Sequence, residues 1–245
     1  RANASPVVNF AMNFTDVNES AYYAEAVRWA VSENITAGTG ANAFSPDAPC
    51  TRGQIVTFLW RAAGSPEPKG AASGMTDVVS GSYYEKAVAW AIENGITTGT
   101  TTSTFSPDAT CTRAQAVMFL WNAAGKPTPK SMNNPFVDVS EDAYYYQAVL
   151  WAVGEGITNG TDDHHFSPNL TANRAQCVTF LYRYVGAPAV ENKTTFADVP
   201  ATAYYADAVA WAMAEGLPVA DRGRLRPETV AAYQAAHEAG SEQGV

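Results

Sequence analysis

The chain has 245 residues, 47% of them hydrophobic and 16% charged, which supplies a sizeable core and argues against disorder. Its net charge of −9, with no long basic run, speaks against nucleic acid as a partner. No apolar run approaches the roughly 20 residues of a membrane helix, so no membrane insertion is expected.

The first residue is Arg1 and no signal peptide follows, so the chain reads as an excised or processed segment. Residues 1–12 form a leader of small and apolar residues without a period. Four units follow, opened by Phe14-Thr15-Asp16-Val17, Met75-Thr76-Asp77-Val78, Phe136-Val137-Asp138-Val139 and Phe196-Ala197-Asp198-Val199. Trp29, Trp90, Trp151 and Trp211 each stand 13 residues after the opening aspartate. Self-similarity of this kind decides the architecture before any local propensity does. The boundaries are 13–69, 70–130, 131–190 and, degenerate, 191–245.

Each unit begins with a helix, from about Tyr22 to Glu33 in the first. Tyr23, Ala26, Val27, Ala30 and Val31 make its apolar stripe at i, i+3, i+4, i+7 and i+8. Asn34, Gly95, Gly156 and Gly216 end these helices, as residues that tolerate the left-handed C′ conformation. Ile35, Ile96, Ile157 and Leu217 follow as buried anchors. A glycine-containing loop then leads to Phe44-Ser45-Pro46, Phe105-Ser106-Pro107 and Phe166-Ser167-Pro168. There the proline bars a helix, and the phenylalanine plugs the space between the unit's two helices.

The second helix opens on Cys50-Thr51-Arg52-Gly53-Gln54, repeated as Cys111-Thr112-Arg113-Ala114-Gln115 and Ala172-Asn173-Arg174-Ala175-Gln176, with the arginines 61 residues apart. Thr or Asn followed three residues later by Gln is capping-box grammar. An arginine in the first turn opposes the helix dipole by a few tenths of a kcal/mol, so its retention in three copies points to an anionic task. Val56, Leu59, Trp60 and Ala63 are the expected buried face, with Phe58 beside it. Gly64, Gly125 and Gly186, each with a proline two residues on, stop the helices. Cys50, Cys111 and Cys177 lack metal spacing and make no disulfide framework, although a Cys50–Cys111 bridge stays open. In the fourth unit a helix is expected over Tyr204–Glu215 and another over Glu228–Glu238, the second without the arginine.

Taken in order, Phe-x-Asp-Val, the Trp-Ala helix, Gly-Ile-Thr-x-Gly, Phe-x-Pro and Thr-Arg-Ala-Gln resemble S-layer homology domains over about residues 14–187. The resemblance implies an all-α fold of tandem helix-loop-helix repeats. Three of them would close into a pseudo-threefold spindle, with a partial fourth. It also implies a non-enzymatic module on the bacterial cell surface, in the wall or S-layer. Such a module anchors without cofactor to acidic, often pyruvylated, secondary cell-wall polysaccharide. Carried over by position, the ligand-binding residues are Arg52, Arg113 and Arg174, the loop glycines Gly38, Gly99 and Gly160, the serines Ser45, Ser106 and Ser167, and the aspartates Asp16, Asp77 and Asp138. Gln54, Gln115 and Gln176 stand where the family has Glu.

Two uses of the arginines compete on chemical grounds. One is a salt bridge to the next unit's aspartate; the other is a bidentate grip on a carboxylate, aided by free N–H groups of the helix start. On the second, Arg113→Ala weakens wall binding and leaves thermal stability nearly unchanged. The aspartates are expected to cap the turn before the first helix, and the tyrosines and tryptophans to be core. Tyr22 and Trp60 are the candidates for stacking on a sugar. Asp162-Asp163-His164-His165 has ligand-type residues but no regular metal spacing. Rival readings are a protein-interaction or self-assembly module, and the anchor segment of a larger surface enzyme.

Overall fold

The computed structural model describes residues 14–40, 42–70 and 74–188, and the backbone of 220–221 and 224–225. Contacts divide the chain into two compact units, Asp16–Pro188 and Arg1–Thr15 with Ala189–Val245. In the second of these, β1 (Ala220–Asp221) pairs antiparallel with β2 (Arg224–Leu225) in a short ladder between the two stretches where helices were expected. The leader and both helices expected in the fourth repeat lie outside the described residues.

Asp16–Pro188 holds six helices among the described residues: α1 (Ala24–Ser32), α2 (Arg52–Ala62), α3 (Glu85–Glu93), α4 (Arg113–Ala123), α5 (Tyr146–Gly154) and α6 (Arg174–Tyr184). The first helices are shorter than expected, starting after Tyr23, Tyr84 and Tyr145. Their stripes bury Ala26, Val27 and Ala30 with their counterparts, while Val31, Ile92 and Val153 are only half-buried. Asn34, Gly95 and Gly156 take left-handed φ of 57°, 66° and 71°, and the isoleucines after them are buried.

The partner of each first helix is not its own repeat's second helix. α3 packs on α2, α5 on α4 and α1 on α6, while α2, α4 and α6 touch one another. The second helices thus form a central trio, and each first helix leans on the repeat before it, cyclically. This explains why α2 buries Ile55, Val56, Thr57, Phe58 and Leu59 almost without interruption, whereas Ala63 is exposed. A helix touched on several sides does not present a single stripe.

Backbone hydrogen bonds close the ring. Cys50 N–H donates to the Ala172 carbonyl, Cys111 to Cys50, and Ala172 to Cys111, at 2.8–2.9 Å. All three cysteines are free and buried, so the Cys50–Cys111 bridge is not formed. At the other ends of the helices, the Trp60 and Trp121 indole N–H groups donate to the Pro66 and Pro127 carbonyls, and the Tyr182 hydroxyl to that of Pro188. Trp60 therefore straps down a linker.

Candidate functional site

Each second helix starts with the expected capping box: Thr51, Thr112 and Asn173 accept from the backbone of Gln54, Gln115 and Gln176, whose side chains reach back. The next N–H groups are not free, contrary to expectation. Arg52 and Gly53 donate to the carbonyls of Ala109 and Pro107, Arg113 and Ala114 to Leu170 and Pro168, Arg174 and Ala175 to Ala48 and Pro46. The orphan donors that a helix start offers to an anion are consumed in docking the following repeat.

The arginine side chains turn the same way. Each Nε–H donates 2.9 Å to a phenylalanine carbonyl of the next repeat: Arg52 to Phe105, Arg113 to Phe166, Arg174 to Phe44. Each guanidinium also lies over two rings, Phe105 and Phe119, Phe166 and Phe180, or Phe44 and Phe58, with centroids at 4.8–5.5 Å. The side chains are 3–5% exposed. None of the ion pairs among the described residues includes them, so the salt bridge to the next repeat's aspartate is absent. Burial pushes all three pKa values down, opposed for Arg52 by Cys111, Tyr144 and Asp77 and for Arg113 by Tyr22, Cys177 and Asp138. Nη2 of Arg113 and of Arg174 is buried without a hydrogen-bond partner. A desolvated cation with an unmade bond is costly unless something completes it.

The aspartates hold the platform on which the arginines rest. Both carboxylate oxygens of Asp16 accept from the N–H groups of Phe44 and Ser45; Asp77 does so from Phe105 and Ser106, and Asp138 from Phe166 and Ser167. Bracing a loop 28 residues on replaces the capping of the nearby turn that the sequence suggested. Burial pushes the Asp77 carboxyl up, but the two N–H bonds and nearby Arg52 outweigh it and hold the pKa below the ordinary value. Ser45, Ser106 and Ser167 sit at φ near 58°, and their hydroxyls pair with Thr39, Thr100 and Thr161 at 2.6–2.7 Å. Gly38, Gly99 and Gly160 have φ of 88–94°. A Cβ on Gly99 would meet the Thr104 carbonyl at 2.5 Å, so this glycine is required by the loop's path.

Tyr22, Tyr83 and Tyr144 complete the arrangement. They are 63%, 54% and 68% exposed, and each acts electrostatically on the arginine of another repeat, Tyr22 on Arg113, Tyr83 on Arg174 and Tyr144 on Arg52. Sequence reasoning singled out Tyr22 and missed the other two. The signal was there: Tyr22-Tyr23, Tyr83-Tyr84 and Tyr144-Tyr145 are doublets, and only the second member falls on the helix stripe. Arginine and Phe-Ser loop thus come from successive repeats, and the tyrosine whose charge acts on that arginine from the remaining one.

The Asp162–His165 loop turns on itself, with His165 Nδ1 2.9 Å from Asp162 Oδ1. Among the described residues no group of three metal-ligating side chains gathers, and no helix is long and apolar enough to cross a membrane.

Comparison with known proteins agrees with the threefold geometry. The family profile of the S-layer homology domain matches residues 13–56, 74–117 and 135–176. A cell surface protein of Thermoanaerobacter kivui is 34% identical over 46% of this chain and 15% of its own length. An endoglucanase of Bacillus sp. (strain KSM-635) is 27% identical over 71% of the chain and 19% of its own length. A cellulosome-anchoring protein of Acetivibrio thermocellus is 23% identical over 59% and 33%. The chain matches a third or less of the length of each of these relatives.

Proposed function

The chain belongs to the S-layer homology domain family of bacterial cell-surface anchoring modules, and from that premise we propose that its inter-repeat grooves grip acidic groups of a cell-wall polysaccharide, pyruvylated amino sugars among them. The observation that carries this reading is the buried guanidinium with no acidic neighbour in bonding range and, at Arg113 and Arg174, an unpartnered Nη2. A carboxylate supplies the missing acceptor and the missing charge together. The exposed tyrosine beside each arginine is the side chain with room to move aside for the acid and to pack against its sugar ring. The serine-threonine pair and the aspartate act one step back, fixing the loop that carries the phenylalanine carbonyl. Three like sites on one molecule suit a repeating polymer, since several weak grips add avidity.

The test uses the intact chain and isolated wall, because the arginines also hold the fold. Reduction of the polymer's carboxyl groups to alcohols is expected to abolish co-sedimentation. Undiminished binding to the reduced wall sinks the acidic-ligand reading; if protease treatment of the wall then removes binding, the grooves take a protein partner or a second copy of this chain.

A second reading is favoured by the endoglucanase relative, whose matching part is only 19% of its length. On it, the segment tethers a surface enzyme whose catalysis lies elsewhere in the parent protein. A zymogram of the full-length parent decides between an enzymatic and a purely structural cargo.

A further inference from the structure

Asn-x-Ser/Thr triplets, the acceptor pattern of asparagine-linked glycosylation, are over-represented in this chain. Seven of its 14 asparagines head one, whereas serine and threonine fill 37 of the 245 positions, a share that predicts about two. A chain that works on the cell surface is exported, so it is open to this modification. Asn3, Asn13 and Asn192 lie outside the described residues. The other four triplets sit in very different surroundings.

The fold closes three of them. At Asn34 the backbone makes the left-handed helix stop, and Ile35 and Thr36 beyond it are buried. Thr161, two residues after Asn159, donates its hydroxyl to the His165 carbonyl and pairs with the Ser167 hydroxyl. On either side of Asn169, the Pro168 and Leu170 carbonyls are docked on the start of α4, and Thr171 bridges to Thr112.

Asn18-Glu19-Ser20 is open. All three residues are exposed, in the turn before α1. The Ser20 backbone N–H and hydroxyl both donate to Asn18 Oδ1, at 2.9 and 2.8 Å. The hydroxyl that the pattern demands is therefore already seated on the carboxamide. Nδ2, the atom that takes the sugar, makes no hydrogen bond among the described residues. Apart from this turn, Glu19 makes only a long ion pair to Arg28, at 3.9 Å, so an added glycan displaces no packed side chain. The turn itself does not need an asparagine. At the equivalent place in repeat 3, Ser140 accepts from the Asp142 N–H, and repeat 2 has Val79 there.

We infer that Asn18 is an acceptor for an N-linked glycan, delivered by a transferase from a glycosyl diphosphate. Nδ2 bonds to the anomeric carbon, the bond from that carbon to the diphosphate oxygen breaks, and the diphosphate leaves with the electron pair. The proton lost from Nδ2 ends on the leaving diphosphate, and nothing is oxidised or reduced. The assignment rests on the surface location and is independent of what the grooves bind.

The full-length parent protein, purified from its own host, tests it. Trypsin releases residues 2–28 as one peptide, cut after Arg1 and Arg28, and electron-transfer fragmentation locates any added sugar mass within it. Sugar is expected on Asn18 and not on Asn34, Asn159 or Asn169. In variants returned to the host, Asn18→Gln and Ser20→Ala are expected to lose it, and Ser20→Thr, which keeps the hydroxyl, to retain it. Circular dichroism is expected to stay unchanged in all three, since both positions are exposed. A bare Asn18 in the natural protein, sugar on the Ser20 oxygen instead, or full occupancy in Ser20→Ala overturns the assignment.

Discussion

A guanidinium sandwiched between phenylalanine rings and bonded to a backbone carbonyl serves the fold before it serves a ligand. Arg113→Ala leaves the Phe166 carbonyl without its donor and opens space between two rings. The expected loss is roughly 2–4 kcal/mol, read from urea midpoints, and replaces the near-neutral outcome that the sequence suggested. A midpoint within experimental error of the parent's would return Arg113 to the surface. Asp77→Asn is expected to cost roughly 1–3 kcal/mol, because an amide N–H would face a backbone N–H. The pH dependence follows from the lowered carboxyl: its stabilisation is full above the ordinary value of 3.8 and is lost as pH falls through the lower folded-state value. The stability gap between parent and variant therefore narrows under acid, below about pH 3.8 and not above it. Paired urea titrations across that range check the sign.

Among the elements, the second helices are set by short-range chemistry and the loops between helices by backbone shape. Removing the Thr112 cap with Thr112→Ala costs about 1 kcal/mol, since one hydroxyl acceptor is lost at an otherwise intact helix start. Gly99→Ala is expected to be worse, by roughly 1–3 kcal/mol, because φ is 94° and the added methyl meets the Thr104 carbonyl. The same change at Gly95, where nothing lies within 4 Å of an added Cβ, is expected to cost less. Thermal melts of the two variants rank them, and the reverse order would contradict the loop's role.

For the molecule as a whole, the cyclic order of contacts makes repeat 3 a condition of repeat 1. α1 leans on α6, and Arg174 closes the ring on the Phe44 carbonyl. A fragment of residues 16–188 is expected to unfold in one cooperative step, being one compact unit. A fragment of 16–130, cut after two repeats, strips α1 of its partner and is expected to show no cooperative transition by circular dichroism. A stacked solenoid would behave otherwise, since each repeat there needs only its neighbour.

The periodic sequence by itself determined the repeats, the starts of the second helices, the left-handed stops, and the triplet Arg52, Arg113 and Arg174, because caps, left-handed stops and amphipathic stripes are governed by residues within one or two turns of each other. The tertiary structure alone decided which way those arginines face. It also decided that the aspartates brace a distant loop and that the helix-start N–H groups are already taken. Each of these depends on contacts between segments far apart in sequence, and a pattern repeated three times is equally compatible with a helix packing on its own repeat or on the one before. Ring closure broke that degeneracy, since a three-member ring satisfies every repeat's exposed face and helix start with no end left over.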